Sequence, residues 1–203
     1  IYSIKLLKLF GTAYFAKNES PTYFTCATFR KVAMSRILDR FKKSDKSQNF
    51  LDRKEHSWFF DSIGVAETFD RLYKSTSNHK NVREFLSKTV FTASNGQYAS
   101  AVKADVNLII IYPELTYLMK SGRMNQAIAI LFHEIGHLIL KHQDRELSND
   151  QAQIEADLFS LELGYGEYLL EFLEGQRRSE QIENRIHALR KILKTVNSCS
   201  LQG

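Results

Sequence analysis

The clearest chemistry in this chain lies in five consecutive residues, His133-Glu134-Ile135-Gly136-His137. On a helix, two histidines four positions apart stand one above the other on one face, so both imidazoles can reach one metal ion. Glu134 follows the first histidine directly and can approach a metal-bound water without ligating the metal. Zinc in that place lowers the pKa of the water to about 7, and the glutamate takes its proton. The spacing therefore points to zinc-dependent hydrolysis, of peptide bonds in particular. The neighbours Ile128, Ile130, Leu131, Phe132, Leu138, Ile139 and Leu140 mark a buried central helix, where charged groups need a reason. Gly136 costs that helix about 1 kcal/mol relative to alanine, which implies a packing motive.

A mononuclear zinc site takes a third protein ligand and keeps one position for water. The next helical stretch carries Gln153-Ile154-Glu155-Ala156-Asp157, with Glu155 18 residues past His137. That is enough chain for the motif helix to end, turn and return antiparallel, bringing Glu155 or Asp157 opposite the histidines. Residues two apart on a helix face different sides, so one of the two is expected at the metal. His142 lies five positions past His137 on the same expected helix, rotated off the motif face. It reads as a C-terminal histidine favoured by the helix dipole.

The elements that must position these residues follow from periodicity. Residues 106–112 are rich in β-branched side chains and end at Pro113, so they read as a strand. Pro113 then opens a short helix closed by Ser121-Gly122. Apolar residues Ala127, Ile128, Leu131, Ile135 and Leu138 recur at three- and four-residue spacing, which predicts the motif helix over 124–142. Ser148 or Asn149 caps a following helix over 150–163. Helices are expected over 167–173 and 181–196 and, upstream, near 63–73 and 81–89. Asn95-Gly96 is a turn signal, and His56 beside Trp58 reads as a partly exposed histidine in an aromatic patch.

The whole chain of 203 residues is 43% hydrophobic and 25% charged, which excludes disorder as the main state. Two prolines and nine glycines favour long helices over an all-β chain. Cys26 and Cys199 form neither a disulfide framework nor a cysteine zinc ribbon. Lysine and arginine number 28 against 23 acidic residues, a mild excess that makes a nucleic-acid partner unlikely without a binding motif. No apolar run reaches the roughly 18 residues of a membrane span, so a soluble, cytoplasmic protein is expected. Met34 opens a stretch that reads like a natural start, and residues 1–45 are taken as an N-terminal extension ahead of a domain over 46–203.

VNLIIIYPELTYLMKSGRMNQAIAILFHEIGHLILKH, with IEADLFSLELG and ENRIHALRKIL after it, resembles the gluzincin metallopeptidases of the CAAX prenyl protease and HtpX-like family, in their small soluble minigluzincin-type branch. The resemblance covers residues 100–193. It implies that His133 and His137 are zinc ligands, that Glu134 is the general base, and that residues 106–111 form the edge strand along which an extended protein or peptide substrate binds. The family's histidine five positions past the motif is matched by His142, and its Arg-Ile pair by Arg185-Ile186, with Arg185 as a stabiliser of the tetrahedral oxyanion. The chain departs from the pattern at the ligand glutamate, normally four residues before the aspartate, where it carries the neutral Gln153. Glu155, two before it, is then the expected third ligand, with Asp157 as hydrogen-bond partner to a histidine. The family's His-Pro ahead of the C-terminal helix is replaced by Ser179-Glu180.

The expected fold is α+β and zincin-like: a small, mostly antiparallel sheet packed on a helical core, with the metal between the motif helix and the glutamate helix. The expected function is that of a zinc-dependent metalloendopeptidase. The alternatives are a catalytically impaired zincin-fold binding or regulatory protein, favoured by Gln153, and an ImmA/IrrE-like repressor-cleaving peptidase, which shares HExxH and a downstream Glu-Ala-Asp.

Overall fold

The computed structural model describes residues 50–94 and 107–200, with side chains to residue 195. The expected boundary at 45/46 and the turn at Asn95-Gly96 lie outside the described residues. Short 3-10 turns at Phe50–Asp52 and Lys54–Asp61 lead into α1 (Ile63–Ser75) and α2 (Lys80–Ser87). Strands β1 (Thr89–Ala93) and β2 (Asn107–Ile111) follow, then α3 (Pro113–Lys120), α4 (Met124–Ile139), a 3-10 turn at His142–Asp144, α5 (Asn149–Glu162), α6 (Gly166–Glu174) and α7 (Glu180–Ser200). The described part is thus mostly helical with one small sheet, an α+β arrangement in the coarse sense.

The sheet corrects one expectation. Among the described residues it has two strands, and they run parallel, Thr89 opposite Asn107 through Ala93 opposite Ile111. A parallel pair requires a crossover of about a dozen residues rather than a two-residue turn, and the chain between the strands is of that length. The outer edge of β1 is covered by side chains from the aromatic block. Phe91 N–H donates to His56 Nε2 at 3.0 Å, Trp58 Nε1–H donates to the Phe91 carbonyl at 3.1 Å, and Arg53 donates to the carbonyls of Ser87 and Thr89. His56 is fully buried and not partly exposed as expected, because both its ring nitrogens are engaged by backbone and its ring stacks on Phe59.

The centre of the molecule is α4, in which every residue from Gln126 to Gly136 is buried. It packs most extensively against α5, whose start is fixed by a reciprocal cap: Gln151 N–H donates to Ser148 Oγ while Ser148 N–H donates to the Gln151 side chain, each at 3.2 Å. Gly136 supplies the expected packing motive. A Cβ there would stand 3.1 Å from Cβ of Phe159 on α5, so the missing side chain lets the two helices approach. α4 ends three residues before His142. Lys141 takes a left-handed conformation (φ 53°), which turns the chain back on itself. No described helix is long and apolar enough to cross a membrane.

Candidate metal centre

The buried face of α5 is written at helical spacing as Ala152, Gln153, Ala156, Asp157 and Ser160. Ser160 Oγ donates to the Ala129 carbonyl of α4 at 3.1 Å, which fixes this face against the motif helix. Gln153 and Asp157, four apart, therefore both point at the motif histidines, while Glu155 points to the side.

His133 and Asp157 form the deepest contact. Nδ1 of the fully buried His133 lies 2.7 Å from Asp157 Oδ1. Arg185, from α7, grips the same carboxylate with both arms, Nε to Oδ2 at 2.7 Å and Nη2 to Oδ1 at 2.6 Å. Burial alone would raise the Asp157 pKa, but Arg185 and His133 outweigh it and hold the carboxyl below its usual range. Asp157 is thus an anion that accepts the Nδ1 proton of His133, and the ring's Nε2 faces inward toward His137. Arg185 was expected at a substrate oxyanion; it is 1% exposed and committed to Asp157, so its role here is to hold that anion in place.

His137 is fixed by a longer chain. The reversal at Lys141 brings His142 over it, with the two Nδ1 atoms 2.8 Å apart. His142 Nε2 lies 3.1 Å from Glu155 Oε2, and Arg145 donates to both carboxylate oxygens of Glu155 at 2.6 and 3.3 Å. Hydrogen bonding from Arg145, then from His142, keeps the Glu155 pKa low, so Glu155 accepts the Nε2 proton of His142. Burial pushes the His142 pKa down, so its Nδ1 carries a lone pair and accepts the Nδ1 proton of His137. His137 is held neutral, its pKa pushed down to about 2 by burial and by the neighbouring His133 and His142. Glu155, the expected third ligand, is accordingly placed elsewhere: it is the anchor of this chain. His142, expected to point away, is its middle link.

The two Nε2 atoms end 3.1 Å apart, and Gln153 Nε2 lies 3.3 Å from that of His137. With each Nδ1 engaged by a partner of its own, the two Nε2 atoms face each other at a distance that a shared proton or a cation between them would satisfy. Two Zn–N bonds of about 2.0–2.1 Å at a near-tetrahedral angle span roughly 3.2–3.4 Å, close to the spacing found. The spacing of the two imidazole nitrogens therefore suits a metal ion. Among the described residues no three His, Cys, Asp or Glu side chains group to hold an ion, and the side chain beside the pair on α5 is the neutral Gln153.

Glu134 follows His133 on α4 and is nearly buried, whereas His137 is partly exposed, so the pair opens toward solvent at the His137 end. Tyr112, where β2 runs into α3, was not singled out from sequence. Burial, and then the Glu134 carboxylate, raise its pKa, which puts the phenol within electrostatic reach of Glu134. The usable sequence signal for the third position was the four-residue spacing of Gln153 and Asp157. Compared with protein-family models, with curated proteins and with solved structures, the chain matches none.

Proposed function

We propose that this chain is a zinc-dependent peptidase of the zincin type. The observation that carries the reading is the facing Nε2 pair of His133 and His137, 3.1 Å apart, with each Nδ1 committed to a separate partner chain. Zinc held by this pair supplies Lewis acidity, lowering the pKa of water to about 7 and polarising a carbonyl.

The remaining chemistry belongs to the chain. Glu134 accepts a proton from the water whose oxygen attacks the scissile carbonyl carbon, and delivers it to the departing amide nitrogen as the C–N bond breaks. Asp157 and His142 hold the two imidazoles in one tautomer and orientation. Because Arg53, His56 and Trp58 cover the β1 edge, an extended substrate pairs with the edge of β2, whose end leads to Tyr112 and Glu134.

The test is zinc content and casein cleavage by the same sample, with and without chelator. Expected are bound zinc, chelator-sensitive cleavage, and a loss of about 10²–10⁴-fold in Glu134→Gln with zinc retained. Gln153 in place of a carboxylate favours a second reading, a zincin-fold protein that binds without hydrolysing. Zinc without turnover in the wild-type chain would move the assignment there.

A further inference from the structure

Gln153 is the polar side chain beside the histidine pair that does not fit its surroundings. It is 3% exposed, its Nε2 donates toward His137 Nε2, and its Oε1 is buried with no hydrogen-bond partner among the described residues. An orphaned buried carbonyl is destabilising, which makes sense if a second state satisfies it. The amide is nearly symmetric in shape, so a half-turn about its terminal torsion exchanges the two atoms within the same space. In one orientation the N–H blocks the His137 lone pair. In the other, the oxygen stands beside the two imidazole nitrogens, where a third donor to a cation belongs.

We propose that Gln153 Oε1 is the third, uncharged ligand of the zinc site, and that the amide turns over when zinc enters. The inference rests on the reading that His133 and His137 hold zinc. Its consequence is a site whose three protein donors are all neutral. The ion's charge is not offset by any of them, and the amide must first give up its hydrogen bond to His137. Zinc is therefore held weakly enough to exchange, and occupancy follows the free zinc concentration. The Asp157 carboxylate acts through His133, and Glu155 through His142 and then His137, and both set geometry more than charge at the ion.

The test is zinc titration of the full chain by calorimetry, with circular dichroism as the folding control. Wild type is compared with Gln153→Glu, Gln153→Leu and His133→Ala. Expected is binding that is about tenfold or more tighter in Gln153→Glu and about tenfold or more weaker in Gln153→Leu than in wild type. Gln153→Leu is close in size and removes the amide oxygen together with the N–H that contacts His137, so it decides the matter even if the buried charge of Gln153→Glu disturbs folding. Equal affinity in wild type and Gln153→Leu, with binding lost in His133→Ala, would overturn the amide ligand and leave the zinc reading standing. Tighter binding in Gln153→Leu would do the same, showing the amide to be only a block. No zinc bound by wild type or by a folded Gln153→Glu would remove the zinc reading and this inference together.

Discussion

His56 and His133 are both fully buried, yet they answer the same problem in opposite ways. At His56 both ring nitrogens are spent on backbone: Nδ1–H donates to the Phe50 carbonyl at 2.6 Å, and Nε2 accepts from Phe91 N–H at 3.0 Å. The ring lies in an aromatic stack, 4.7 Å from the Phe59 centroid. At His133 and His137 Nδ1 is spent on chains that end in Asp157–Arg185 and Glu155–Arg145, while Nε2 meets only side chains, the other imidazole and, at His137, the Gln153 amide. The remaining nitrogens face each other. A buried histidine is structural when its lone pair is already used and a candidate ligand when the lone pair is held free, and burial alone does not separate the two cases.

The sharpest way to break this comparison is Asp157→Asn. The amide keeps the shape but leaves the buried Arg185 without its counter-charge, a loss of about 3–5 kcal/mol when one partner of a buried pair is removed. It also stops fixing the His133 tautomer, so zinc affinity should fall about 10–100-fold. Chemical denaturation and zinc titration on the same variant read the two effects. A large stability loss with unchanged zinc affinity would make Asp157 a structural partner of the same kind as the backbone groups around His56, and the distinction would collapse.

The His56 side of the comparison is broken by acid. Its neutral form alone satisfies both contacts, since a proton on Nε2 would oppose the Phe91 N–H. Burial, partly offset by the Phe50 carbonyl, lowers its pKa below the ordinary 6.5. The unfolded chain therefore binds a proton near pH 6.5 while the folded one resists. Below that pH stability declines as pH falls, by up to about 1.4 kcal/mol per unit until the folded group titrates; above it the contribution is complete. His56→Gln should lessen this slope between pH 7 and pH 5 by the His56 share, leaving that of His137 and His142, and cost about 1–3 kcal/mol at pH 7.5 from impaired buried hydrogen bonds. Denaturation midpoints at several pH values check both. An unchanged slope would mean that His56 is not held neutral.

Some of this was legible in the amino-acid sequence. The motif helix, the cap at Ser148 and the packing role of Gly136 follow from local rules that tertiary structure had no reason to override. Gln153 and not Glu155 stands beside the histidine pair because it lies four residues from Asp157 and shares its face, which residue type alone does not reveal and spacing does. His142 was unreadable, since its placement depends on a left-handed Lys141, a conformation that lysine seldom adopts. Arg185 looked like a solvent or substrate residue because an arginine on a helix carries no mark of the aspartate 28 positions upstream that buries it. The parallel pairing was hidden because Thr89–Ala93 is only five residues long and directly follows a helix.

The smallest effect is expected at Gly136, and it sharpens the comparison from the side of the backbone. The His56 centre is held by side chains reaching a strand edge, whereas the facing imidazoles are held by how closely α4 and α5 approach. Gly136→Ala places a Cβ 3.1 Å from Phe159 Cβ and 3.2 Å from its ring carbons, so Phe159 must give by a few tenths of an ångström. Alanine returns about 1 kcal/mol of helix propensity, against an overpacking cost of about 1–3 kcal/mol. The net expectation is a loss of about 1 kcal/mol in stability, because Phe159 is only partly buried and can shift. That shift moves the face carrying Gln153 and Asp157, so zinc affinity should fall with it, while the acid slope that depends on His56 stays as in wild type. If the substitution altered the acid slope and spared zinc binding, the helix approach would not be what sets the imidazole pair.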